Sequence, residues 1–121
     1  MIKQNVIVEL SFDFALKIIE LYKKLTENRE FVISKQLLRS GTSIGANIEE
    51  AEAGFTKKEF IYKMSIAAKE ARETRYWLKI LQASKLFGLD YSTYLHKVDS
   101  IIKVLTKIIK SAQESHLKFN I

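Results

Sequence analysis

Apolar residues recur along most of the chain at spacings of three and four, the period of an amphipathic helix. The clearest case is the last third, where Tyr91, Val98 and Leu105 return to one helical face. Thr56 and Glu59 form a capping box, a pairing that marks a helix start. The pattern predicts helices over residues 12–27, 31–53, 57–87 and 91–114.

The first ten residues follow a different period. Val6, Val8 and Leu10 alternate along the chain, which favours an extended arm before the first helix. The predicted helices are joined by short connections, and short connections place successive helices side by side in opposite directions. We therefore expect an all-α fold: a single domain over residues 1–121, built as an antiparallel, up-down-up-down four-helix bundle with a short extended N-terminal arm.

The segment RSGTSIGANIEEAEAG, residues 39–54, holds three of the four glycines. A phosphate-binding P-loop needs a strand before the glycines and a Lys-Ser/Thr pair after them, and this segment has neither. Each mid-helix glycine costs about 1 kcal/mol relative to alanine, a loss that close contact with another helix can offset. We predict close helix packing here, with a local kink as the alternative and small residues of the third helix as the matching surface. The residues concerned are Ser40, Gly41, Gly45, Ala67, Ala68 and Ala71.

The predicted third helix is apolar on two sides. Phe60, Met64 and Leu78 lie on a core stripe, and a second group lies roughly opposite with a glutamate at its middle. A helix that is apolar on two faces needs two partners, so we expect a homo-oligomer that uses the second face. The alternative is a set of singly exposed side chains. The second face comprises Tyr62, Ile66, Glu73, Trp77, Ile80 and Phe87.

Composition supports the helical prediction and limits the chemistry. The chain has no proline, which suits long helices, and no cysteine, which excludes disulfides, thiolate catalysis and cysteine-ligated zinc. His96 and His116 lie far apart in sequence, and the glutamates at 49, 50 and 52 have no histidine partner. We expect no catalytic residue, metal site, cofactor or small-molecule substrate, and hence no enzyme.

Charge is distributed unevenly. Residues 1–55 carry seven Lys/Arg against eight Asp/Glu (−1), and residues 56–121 carry thirteen against six (+7). An excess of positive charge in one half favours a polyanionic partner. The third helix concentrates it in a strip with an interleaved aromatic residue, which can neutralise phosphates and stack a base; a solvated helix face is the alternative. The strip comprises Lys58, Lys69, Arg72, Arg75, Tyr76 and Lys79.

Targeting signals are not evident in the sequence. The N-terminal segment MIKQNVIVELSF is interrupted by polar residues, and no apolar run approaches the ~18 residues of a membrane span. We expect a cytoplasmic protein with no membrane contact.

The segment 34–81 resembles the four-helix-bundle proteins of the 23S rRNA intervening-sequence-encoded family. That pattern has an arginine, then Ser-Ile-x-x-Asn-Ile-x-Glu, then a Ser/Thr-capped helix with a late glutamate. The resemblance implies a closed antiparallel bundle and, by likeness to the accessory protein of diversity-generating retroelements, a five-subunit barrel that engages nucleic acid. The matching residues are Arg39, Ser43, Ile44, Asn47, Ile48, Glu50, Phe60 and Glu73.

Two functional hypotheses follow from these features. The first is a non-enzymatic, oligomeric protein that binds RNA or DNA through a basic surface. The alternative is a scaffold or accessory subunit that binds another protein through the exposed apolar face of a helix.

Overall fold

The computed structural model describes the backbone of residues 2–120 and the side chains of residues 6–118. Within that range the chain forms four α-helices, one short 3₁₀ helix and no strand, which confirms the all-α prediction. The helices are α1 (Ile2–Glu27), α2 (Ile33–Glu52), α3 (Lys57–Ser84) and α4 (Ser92–Asn120), with the 3₁₀ helix at Leu86–Gly88.

The predicted extended arm is wrong, because α1 already begins at Ile2. Ile7 and Ser11 are buried and continue the helical stripe of Phe14. The alternation of Val6 and Val8 was misleading because the residue between them, Ile7, is the one that enters the core. A buried stripe at helical spacing overrides a short period-two pattern, because it gains a full row of core contacts.

Side-chain caps fix the starts of α2 and α3. The Thr56 hydroxyl accepts the backbone N–H of Glu59 at 3.1 Å, and the Glu59 carboxylate accepts that of Phe55 at 3.1 Å, so the predicted cap is confirmed. At α2 the Glu30 carboxylate accepts the backbone N–H groups of residues 32–34 at 2.6–3.2 Å. A carboxylate placed there satisfies otherwise unpaired donors and interacts favourably with the helix dipole.

Helix α3 is shorter than predicted. It ends at Ser84, because Lys85 adopts a left-handed backbone with φ 56°. Phe87 is also left-handed, at φ 63°, so it belongs to the α3–α4 connection and not to the helix. The Asp90 carboxylate then accepts the N–H of Ser92 at 3.0 Å where α4 begins.

The core is one cluster of buried apolar side chains drawn from all four helices, with Phe14, Leu37, Leu78 and Leu105 among its members. Contacts join α1 to α2, α2 to α3, α3 to α4 and α1 to α4. Because α1 and α3 each pack against both α2 and α4, they occupy opposite corners of the bundle.

The glycines of α2 permit a close approach, but to a different helix from the one predicted. A Cβ at Gly41 would lie 2.9 Å from the side chain of Ile18, and one at Gly45 would lie 3.4 Å from Ser11 Oγ, both in α1. The matching surface is therefore on α1. Ser40 does face α3, where its hydroxyl is hydrogen-bonded to that of Thr74 at 2.8 Å. The predicted partner residues Ala67, Ala68 and Ala71 are buried in the core cluster.

Candidate nucleic-acid interface

The basic strip predicted for the third helix lies on the outer side of α3. Lys58, Lys69, Arg72 and Lys79 are exposed, and Tyr76 is exposed among them. The Tyr76 ring contacts that of Trp77 edge-on, with centroids 5.3 Å apart. The strip thus combines solvated cations with one aromatic ring held against a neighbour.

Arg75 differs from the rest of the strip. It is half-buried, and its guanidinium donates to the carboxylate of Asp99 in α4 at 3.1 Å. This ion pair joins α3 to α4. Its charge is already balanced, so Arg75 contributes less to an external field than its exposed neighbours do.

The neighbouring helix α4 carries exposed cations of its own: Lys103, Lys107 and Lys110. One of them, Lys110, lies across from Arg72 of the strip. We call the combined set the α3–α4 basic surface; it consists of Lys58, Lys69, Arg72, Lys79, Lys103, Lys107 and Lys110. Among the residues with described side chains, none of these seven cations has a carboxylate partner within ion-pair distance. No acidic side chain in contact therefore cancels their positive charge, and a surface of this kind attracts a polyanion.

A separate polar cluster joins α2 to α3. Arg39 donates to Glu70 at 3.0 Å and to Glu73, and Glu73 also accepts the indole N–H of Trp77 at 3.0 Å. The hydrogen bond from Arg39, followed by that from Trp77, lowers the pKa of Glu73, and the bond to Glu73 raises the pKa of Arg39. Glu73 is therefore held as a carboxylate, which makes it a structural acceptor and a poor proton-transfer group.

The predicted oligomer face is only partly an outer surface. Tyr62 is 63% exposed, whereas Ile66 and Ile80 are half-buried without joining the central core cluster. Trp77 packs against the core and is tied to Glu73. Phe87 is exposed but lies outside α3, so its assignment by helical phase was wrong.

An apolar stripe on α1 escaped the sequence analysis. Phe12, Leu16 and Ile19 are 65%, 50% and 42% exposed, and their spacing of four and three places them on one face. We call these three residues the α1 stripe. It could have been found from the sequence as a second helical series, because all three residues lie within the predicted helix 12–27. The stripe and the outer side of α3 lie on opposite corners of the bundle.

A metal cluster and a membrane-spanning helix each place requirements on the described part of the chain. It contains no group of three or more His, Asp or Glu side chains arranged to hold a metal ion. None of its helices combines the length and apolar character needed to cross a membrane.

A family model described as 23S rRNA-intervening sequence protein matches residues 3–107, which is most of the chain. The chain belongs to this family. It is similar to a protein with unknown function from the S23 ribosomal protein family of Bacteroides thetaiotaomicron VPI-5482, solved in a crystal at 1.70 Å. The TM-score is 0.85 and the identity 47%, over 89% of this chain and 98% of that one. No curated protein matches the chain.

The matching family model confirms the resemblance to this family. In the structure, the polar residues of the motif make contacts within α2 and between α2 and α3. Arg39 reaches the two glutamates of α3, and Glu50 pairs with Lys63 of α3 at 2.7 Å. The Asn47 side-chain amide donates to the carbonyl of Ser43 at 2.9 Å, within α2. In this family member the motif therefore fixes how α2 lies against α3, and it forms no part of the basic surface.

Proposed function

We propose that this chain is a non-enzymatic, oligomeric protein that binds nucleic acid through the α3–α4 basic surface. The observation that carries the proposal is the row of exposed cations without carboxylate partners on two adjacent helices. Contacts of this kind with phosphates release condensed counterions, and they bind RNA or DNA with little dependence on sequence. Tyr76 adds a face on which a base could stack.

The proposal includes the antiparallel arrangement and an assembly. Arg39, near the start of α2, meets Glu73, late in α3, while Glu50, near the end of α2, meets Lys63, early in α3. This order of pairing supports an up-down-up-down bundle. Apolar surfaces on opposite corners support a head-to-tail contact in which α1 of one copy meets α3 of the next. The family resemblance suggests five subunits.

Assembly would strengthen nucleic-acid binding. Each subunit presents the same basic surface, so one strand could contact several copies. The second and later contacts would then be intramolecular, with a raised effective concentration.

Binding across a salt series tests the proposal. We expect fluorescence anisotropy to show binding of single-stranded RNA or duplex DNA that weakens steeply as salt rises. The combined change Lys69→Gln, Arg72→Gln and Lys79→Gln should weaken binding about tenfold or more and make the salt dependence shallower. Unchanged affinity and slope in this variant would exclude the strip as the binding surface.

The α1 stripe favours a second candidate function, a scaffold that binds a partner protein. Large apolar side chains at exposures of 42–65% are costly to leave in water unless something covers them. An apolar interface changes little with salt, whereas phosphate contacts weaken strongly. Binding of a different protein that changes little with salt and is lost on Phe12→Glu would support the scaffold.

A further inference from the structure

The α3–α4 basic surface contains an open cleft of about 330 Å³. Its apolar lining is formed by Ala68 of α3, which is 5% exposed, and by Ile109 of α4. The side chain of Ala68 ends at a methyl group, so it fills little of the cleft. The polar lining comprises Ser65, Arg72, Thr106, Lys110 and Gln113.

The cleft is lined by cations and neutral polar groups, and no carboxylate lines it. Arg72 comes from α3 and Lys110 from α4, so positive charge enters from both walls. Neither has a carboxylate partner within the described side chains. Two exposed cations on facing helices repel one another weakly in water, and an anion bound between them would relieve that repulsion. The cleft therefore offers positive charge from two sides to an anion.

Hydrogen-bonding capacity in the cleft is largely unused. The side chains of Ser65 and Gln113 make no hydrogen bond within the described residues, and the Arg72 side chain makes only a long one, 3.5 Å, to the carbonyl of Ala68. The hydroxyl of Thr106 already donates to the carbonyl of Ile102 at 2.7 Å, so it cannot also donate to an anion. Arg72, Lys110, Ser65 and Gln113 therefore supply the available donors.

We infer that this cleft binds a phosphate group of a nucleic-acid strand, an inference that rests on the proposed function. The two non-bridging oxygens of a phosphodiester can accept from a guanidinium, an ammonium, a hydroxyl and an amide together, and its ester oxygens connect the group to sugars on either side. The apolar wall at Ala68 offers a surface for the attached sugar. A phosphate ion or a free nucleotide carries the same group, and the experiment below separates these sources from a strand.

The test compares variants matched in charge on the same surface. Arg72→Gln with Lys110→Gln removes the two cleft cations, and Lys79→Gln with Lys103→Gln removes two cations outside it. Ser65→Leu narrows the cleft without changing charge, at an exposed position where leucine favours the helix. Circular dichroism melts establish that all three variants fold.

For single-stranded RNA measured by anisotropy, we expect the cleft pair to raise Kd about tenfold more than the control pair and to lower the salt slope by about 1. Ser65→Leu should weaken RNA binding several-fold, and its salt dependence should be shallower than that of the parent. Equal losses from both pairs, with no effect of Ser65→Leu, would overturn the cleft while leaving the basic surface as the binding site.

A second measurement keeps the two proposals separable. Amide NMR shifts are followed while inorganic phosphate or adenosine monophosphate replaces chloride at constant ionic strength. Shifts confined to residues 65–72 and 106–113, and abolished by Ser65→Leu, would support the cleft and show that a free phosphate suffices. No such shifts, together with a cleft-specific loss of RNA binding, would support a strand phosphate. If the parent binds no RNA, the proposed function fails, and absence of phosphate shifts would then overturn the cleft as well.

Discussion

The α1–α2 half and the α3–α4 half differ in what they present to solvent. Helix α1 exposes the apolar stripe of Phe12, Leu16 and Ile19, and beside it lie exposed carboxylates such as Glu9 and Asp13. The α3–α4 half exposes rows of cations, among which Tyr62, Tyr76 and Leu117 are also exposed. The bundle is therefore two-sided: one side suits an apolar contact with an acidic rim, and the other suits a polyanion.

The largest expected effect concerns assembly. Phe12→Glu with Leu16→Glu should give monomers by light scattering, because charge would enter a desolvated contact, and Ile66→Glu with Ile80→Lys should do the same from the other corner. Each variant keeps one intact face. An equimolar mixture should therefore recover dimers, which a contact between identical faces could not produce. A variant that retains the size of the parent would remove its face from the proposed contact.

The next effect tests whether position or only net charge determines nucleic-acid binding. Lys23→Gln, Lys24→Gln and Lys35→Gln remove three exposed charges from the α1–α2 half. We expect this variant to bind RNA about tenfold more tightly than the variant changed at Lys69, Arg72 and Lys79, because only those three side chains belong to the proposed phosphate-binding surface. Equal affinities across the salt series would show that the overall charge of the protein is sufficient.

A smaller effect separates the two glycines that face α1. In Gly41→Ala the new Cβ would lie 2.9 Å from both branches of Ile18, a stiff β-branched side chain, so overpacking should exceed the helix-propensity gain by about 1 kcal/mol. We expect the melting temperature to fall by about 4 °C.

Gly45→Ala is the matched control, because its Cβ would meet Ser11 Oγ at an ordinary 3.4 Å. It should be neutral or gain up to about 1 kcal/mol from helix propensity. Equal behaviour of the two variants in thermal melts would show that the contact at Ile18 relaxes freely.

The smallest effect is acid sensitivity at Glu73. The pKa of Glu73 is lowered in the folded protein, chiefly by its hydrogen bond from Arg39. The contribution of Glu73 to the free energy of unfolding is therefore fully present at pH values above the ordinary glutamate pKa, and it is lost as pH falls through the lowered pKa. Glu73→Gln should cost about 0.5 kcal/mol near neutral pH, as expected for a partly solvated ion pair, and flatten the loss of stability below about pH 4.5. Denaturant melts at several pH values measure this. Glu52→Gln, which removes an exposed carboxylate that makes no ion pair with a described side chain, is the control variant.

Much of the fold could be predicted because local signals and core periodicity agree. Thr56 and Glu59 cap α3 as their residue types require, and the apolar series through Val98 and Leu105 is buried in α4. The glycine segment was predicted to pack closely against another helix, and Gly41 does lie where a Cβ would crowd Ile18 of α1. The predicted partner was α3, because one helix has two neighbours on adjacent faces and composition does not distinguish Ile18 from the alanines of α3.

The candidate site was less accessible from the sequence for physical reasons. Helical phase places a lysine on an outer face but does not show whether a carboxylate from another helix neutralises it, as Asp99 does for Arg75. The cleft depends on the spacing of two helices at Ala68, which no single helix specifies. Phe87 left its predicted face because a left-handed residue two positions earlier ended the helix, and the backbone choice of Lys85 has no strong residue signature.

The buried hydroxyl pair of Ser40 and Thr74 has a consequence for how reliably the chain finds its native alignment. Two helices that meet through aliphatic side chains can slip by one turn with little loss, because similar residues return at every turn. Slippage here would separate Ser40 from Thr74 and lose the hydrogen bond between the two helices, although Thr74 would keep the carbonyl of Glu70 in its own helix; the cost is about 0.5–1.5 kcal/mol. The hydroxyl pair thus favours one alignment of α2 against α3 over alignments shifted by a turn.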